Sequence, residues 1–87
     1  MLYKTFSKQQ IARIFGVNRG TIYSWESHGF PVRPPERPGR SARVDFDSAL
    51  EWFLNYQSEV RGVGDEGLAI LEQAIRERKE RYYGGKS

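Results

Sequence analysis

The sequence has 87 residues, 38% of them hydrophobic and 14% aromatic, with Lys and Arg outnumbering Asp and Glu by 14 to 11. That length accommodates one small domain with a modest core, and the composition excludes a wholly disordered chain. It holds no cysteine and one histidine (His28), which excludes a disulfide framework and a zinc site, and no apolar run approaches the roughly 20 residues of a membrane span, so the expectation is a soluble, cytoplasmic protein without cofactor or metal.

Ser7-Lys8-Gln9-Gln10 stands just ahead of an apolar-periodic run and spells a capping box, which predicts a helix starting there. Phe6 precedes the cap and Ile11 takes the fourth helical position, the pair that forms a hydrophobic staple; Leu2 to Phe6 reads as an extended lead-in. Ile11, Ala12, Ile14 and Phe15 make the buried stripe, and Gly16 suits the left-handed turn that ends the helix. Asn18, two residues on, is a second N-cap, for a helix that ends at His28-Gly29, with Phe30 placed to clasp Trp25. Ile22 and Trp25 face inward, which leaves Arg19, Gly20, Tyr23 and Ser24 on the outer face. Two helices joined so tightly cross steeply.

Pro31 to Phe46 contains all four prolines and cannot be helical. It reads as a hairpin with strands at Val32-Arg33 and Val44-Phe46 and a stiff basic tip turned at Gly39, carrying Arg37 and Arg40, with Arg43 at its base. Asp47 is expected to cap a third helix running to about Val60. One stripe of that helix, Leu50, Phe53 and Leu54, closes on the helix pair; the other, Ala49, Trp52 and Tyr56, needs either the last segment or another subunit. Beyond Arg61-Gly62-Val63-Gly64, Asp65 can cap a fourth helix in which Leu68, Leu71, Ile75, Arg78 and Tyr82 recur at coiled-coil spacing over about two heptads. The expected division is a domain over 1–60, a linker over 61–67, an amphipathic dimerisation helix over 68–83 and a flexible tail over 84–87. Trp52, Tyr56, Leu68, Leu71, Ile75 and Tyr82 are the candidate dimer interface.

Charge is split along the chain. Residues 1–46 carry eight basic and three acidic side chains, a net +5, whereas residues 47–87 carry six and eight, a net −2. The first half is therefore the half suited to a polyanion. The fold class that accounts for all these signals is mainly α: a winged helix-turn-helix with a small β-hairpin wing, plus the C-terminal dimerisation helix. In such a module the second helix enters the DNA major groove, the first crosses the phosphates, and the wing reaches the adjacent minor groove. A helix pair alone also occurs as plain structure; the basic hairpin directly after it is what favours DNA. Arg19 can pair bidentately with guanine or simply meet a phosphate. Gly20 costs about 1 kcal/mol in a helix relative to alanine, which close approach to DNA would offset. Tyr23 and Ser24 lie on the groove side, and Thr21 either joins them or supports the helix start. Lys8 and the free N–H groups beside it can hold a phosphate. Arg37, Arg40 and Arg43 are candidate wing contacts, although a basic loop can equally be just solvated. No paired carboxylates or nucleophile constellation speaks for an enzyme. The ending Gly84-Gly85-Lys86-Ser87 mimics a phosphate-binding loop, but Glu80 stands where that motif needs its first glycine.

Taken in order, Ser7 to Trp25, Ser27-His28-Gly29-Phe30-Pro31-Val32 and Val44 to Trp52 resemble the DNA-binding domain of the small terminase subunits of lambda-like bacteriophages, over roughly residues 5–60. The resemblance implies a homodimer that binds the packaging-initiation site on viral DNA in the host cytoplasm. It also implies that the large terminase subunit is recruited there and carries the nuclease and motor chemistry. By position, Arg19, Gly20 and Tyr23 fall in the reading helix and Arg37 and Arg40 in the wing. Excisionases and MerR-type regulators share this winged architecture, so a DNA-bending regulator or recombination directionality factor is the alternative role.

Overall fold

The computed structural model describes residues 5–35, 38–39 and 42–84. Its elements are β1 (Thr5–Phe6), α1 (Lys8–Phe15), α2 (Arg19–Glu26), β2 (Val44–Asp45), α3 (Phe46–Glu59), α4 (Asp65–Lys79) and a π-helical turn over Glu80–Gly84. The protein is mainly helical, and its described residues include a small two-stranded antiparallel sheet.

The first two helices begin and end on local chemistry. Ser7 Oγ accepts from the Gln10 N–H at 3.1 Å while Gln10 Oε1 accepts from the Ser7 N–H at 2.9 Å, the complete capping box. Gly16 at φ 74° ends α1 in the left-handed conformation. Asn18 Oδ1 caps α2 through the Thr21 N–H at 2.9 Å. At its other end the Phe30 N–H donates to the Trp25 carbonyl (3.1 Å), the Gly29 N–H donates to that of Glu26 (3.2 Å), and Gly29 has φ 98°. These are the two bonds of a Schellman ending, and the Trp25 and Phe30 rings clasp with centroids 5.6 Å apart.

Later boundaries differ from the sequence reading. Asp45, not Asp47, caps α3, accepting from the Ser48 N–H at 3.0 Å, because β2 runs straight into the helix and Asp47 already lies in its first turn. Gly64 occupies the N-cap of α4 without a side-chain bond, and Asp65 is the first helical residue, so the helix takes up part of the expected linker. The hairpin also pairs differently. β2 lies antiparallel to β1, with Thr5 opposite Asp45 and Phe6 opposite Val44. Arg33 joins the other limb by a single bridge to Arg43, through N–H to carbonyl bonds of 2.7 and 3.1 Å. The lead-in strand thus supplies the partner that Val32-Arg33 had been expected to supply.

Ile11, Ile14, Ile22 and Val44 are completely buried at the centre of the core. Phe15 lies edge-on to Trp25, Phe30, Phe46 and Phe53 at centroid distances of 5.2–6.5 Å. The second stripe of α3 packs on α2 and the segment after it: Trp52 meets Phe30 at 5.2 Å and Trp25 at 5.5 Å, and stacks on Tyr56 at 5.0 Å. These two aromatics, expected at a subunit interface, are therefore engaged in their own chain.

The same correction holds for α4. Ile75 is 2% exposed within the core, and Leu71 packs against that core from its edge. The helix lies on both α1 and α3. Arg78 Nη1 donates to the Ile14 carbonyl at 2.7 Å, supplying a cation and a donor at the C-terminal end of α1. Arg76 and Lys79 reach over the Phe46 ring. Beyond α4, Tyr83 meets Phe6 edge-on at 5.5 Å, which ties the π-helical turn to β1. Leu68 is half-buried, whereas Tyr82 is 58% exposed and Ile70, across the helix, is 70% exposed. No helix among the described residues is long and apolar enough to cross a membrane.

Candidate nucleic-acid interface

Ser7, Lys8, Gln9, Arg19, Tyr23 and Ala42 line one cleft of about 310 Å³. Three elements meet there: the first turn of α1, the outer face of α2 and the segment leading into β2. The Ser7 capping box satisfies one first-turn N–H of α1 and leaves others without an intrahelical acceptor, the kind of donor set that favours an anion. Arg19 and Tyr23 reach it from α2 because they lie four apart, one turn above the other. The tight Gly16-Val17 connection brings the two helices close enough to share it.

Arg19 is exposed, and Tyr23 is 51% exposed. Ser24 is also exposed, while its carbonyl accepts from Ser27 Oγ at 2.6 Å and lies 3.0 Å from His28 Nδ1. His28 thus belongs to the helix ending. Thr21 takes the humbler of its two expected roles: its hydroxyl turns back onto Asn18 Oδ1 at 3.2 Å and supports the cap. Gly20 has an internal reason for lacking a side chain, since a Cβ there would stand 3.3 Å from Asn18 Oδ1 and crowd that oxygen.

Lys8 was expected to hold a phosphate and Arg43 to be a wing contact with DNA, and the structure gives both a partner. Lys8 Nζ lies 2.8 Å from Glu26 Oε2 and 4.7 Å from the centroid of the Tyr23 ring. Arg43 donates from Nη2 to the Thr5 carbonyl at 2.9 Å and from Nε to Thr5 Oγ1 at 3.3 Å, bracing β1 against the hairpin base while remaining exposed. Arg37 and Arg40 lie outside the described residues; the part of the tip that is described includes Gly39 at φ 85°. Nothing in the sequence pattern announces the Lys8–Glu26 pair or the Arg78 bond, because these partners are 18 and 64 positions apart. Among the described residues no group of His, Asp and Glu is arranged to hold a metal ion. No family model matches this chain, and no curated protein matches it at a significant level.

Proposed function

We propose that the protein is a winged helix-turn-helix that reads double-stranded DNA, with α2 as the reading helix and the segment from Pro31 to Arg43 as the wing. The observation that carries this reading is the shared cleft, where Arg19 and Tyr23 of α2 open beside the donor-rich start of α1 and the root of the hairpin. The net +5 of residues 1–46 supports it, because phosphate neutralisation dominates the affinity of such modules. Arg19, Tyr23 and Ser24 face base edges, while Arg37 and Arg40 follow the backbone or the minor groove. Selecting bound duplexes from a randomised library tests the idea, and recovery of no preferred sequence would reject it.

The role we propose for that activity is the one the resemblance implies: a non-enzymatic small terminase subunit in the host bacterial cytoplasm. It binds the packaging site as a homodimer and recruits the large ATPase and nuclease subunit. With Ile75 buried and Leu71 largely covered, Ile70 and Tyr82 are the apolar groups that α4 and its extension leave for a partner. Capture of the large subunit from infected cells supports packaging; site-specific binding without that capture favours the excisionase or MerR-like role.

A further inference from the structure

Lys8 stands on the wall of the proposed reading cleft, yet its ammonium is already engaged. Glu26 reaches it from the last turn of α2 at 2.8 Å, and the two side chains are only 22% and 29% exposed. Glu26 Oε2 is shut off from solvent, and the Lys8 ammonium at 2.8 Å compensates its charge. Removing a carboxylate oxygen from water without a compensating group is costly, which holds the lysine in place. The Tyr23 ring adds a second attraction, with Nζ 4.7 Å from its centroid. A phosphate that approaches Lys8 therefore meets a pair with no net charge.

We propose that Glu26 sets the protein's affinity for DNA of any sequence by neutralising Lys8 and withholding it from phosphate. The inference rests on the DNA-binding reading above and deepens it. Its physical content is one phosphate contact that the reading face forgoes. Each such contact changes the slope of log K against log salt by about 0.9, equivalent to roughly eightfold in K at 0.1 M relative to 1 M salt. Attenuation of this kind limits loss of the protein to the non-specific sites of a genome, which vastly outnumber the target.

The test is fluorescence anisotropy with a mixed-sequence 30-base-pair duplex over a salt series, comparing the full chain with Lys8→Met, Glu26→Gln and the double variant. Lys8→Met strands the Glu26 carboxylate as a net negative charge on the cleft wall and is expected to weaken binding. Glu26→Gln should steepen the slope by about 0.9 and tighten binding roughly eightfold at 0.1 M salt, and the double variant should return to the original slope. A double variant whose slope falls about 0.9 below that of the original chain overturns the proposal, as does an unchanged slope in a folded Glu26→Gln. If Glu26→Gln does not fold, the double variant, which removes both members of the pair, decides alone. Failure of the unmodified chain to bind any duplex overturns the DNA-binding reading itself, whereas binding with the wrong slope overturns only the role of Glu26.

Discussion

Asn18 holds the start of α2 through two bonds to one oxygen, from the Thr21 N–H at 2.9 Å and the Thr21 hydroxyl at 3.2 Å. Asn18→Ala is accordingly expected to cost about 1 kcal/mol in urea denaturation, and a cost near zero would show that tertiary packing alone sets the helix start. Arg19, one residue on, makes a different prediction because it is exposed in the cleft. Arg19→Ala should weaken binding to the selected sequence by about 1–3 kcal/mol more than binding to mixed-sequence DNA. Equal losses on both would reduce it to a phosphate contact. Arg78 gives the stability counterpart. Its bond to the Ile14 carbonyl is charge-assisted and partly buried, so Arg78→Met should cost about 1.5–3 kcal/mol. Calorimetry that finds the variant as stable as the original chain would show that α1 ends well without it.

At the scale of elements, α4 changes most from its sequence reading. Its apolar stripe has the spacing of a coiled coil, yet Ile75 is buried against the helices of its own chain. Ile75→Ala should therefore cost about 2–5 kcal/mol, and the loss should be independent of protein concentration. Stability that rises with concentration in the original chain and not in the variant would restore Ile75 to a dimer seam. The proposed wing has a root and a tip. Arg43 at the root braces Thr5, so its replacement should loosen β1 as well as affect binding. Arg40→Ala at the tip should reduce affinity equally for all sequences and lower the salt slope by about one. An unchanged slope would take the tip out of the interface.

At the scale of the whole molecule, the packing of α4 on α1 and α3 makes the C-terminal segment part of one core with the helix pair. Self-association, in the proposed role, must use surface the core leaves over, and Ile70 at 70% exposure is the largest such apolar group on α4. Ile70→Asp should leave the melting temperature nearly unchanged while shifting sedimentation toward monomer. A dimer that survives it would put the seam elsewhere. A homodimer of this module should also protect paired half-sites about 10–10.5 base pairs apart, or a multiple of that, in a footprint.

The sequence by itself determined where the first two helices begin and end. Ser7 with Gln10, Asn18 with Thr21, Gly16, and Trp25 with Phe30 interact within five positions along the chain, so their bonds form wherever the chain leads. It determined that Ile11, Ile14 and Ile22 are buried and that Arg19 and Tyr23 share an outer face, since helical period alone fixes those directions. Tertiary structure decided what covers each apolar stripe and what satisfies each charge. An amphipathic pattern states that a face must be buried without naming its cover, which is why the stripe of α4 and the Trp52–Tyr56 face could be read as a dimer seam. A strand likewise advertises unpaired N–H groups without choosing a partner, and Val44 chose Phe6. Lys8 was legible as a cation beside the second helix; only the fold brought Glu26 within 2.8 Å of it.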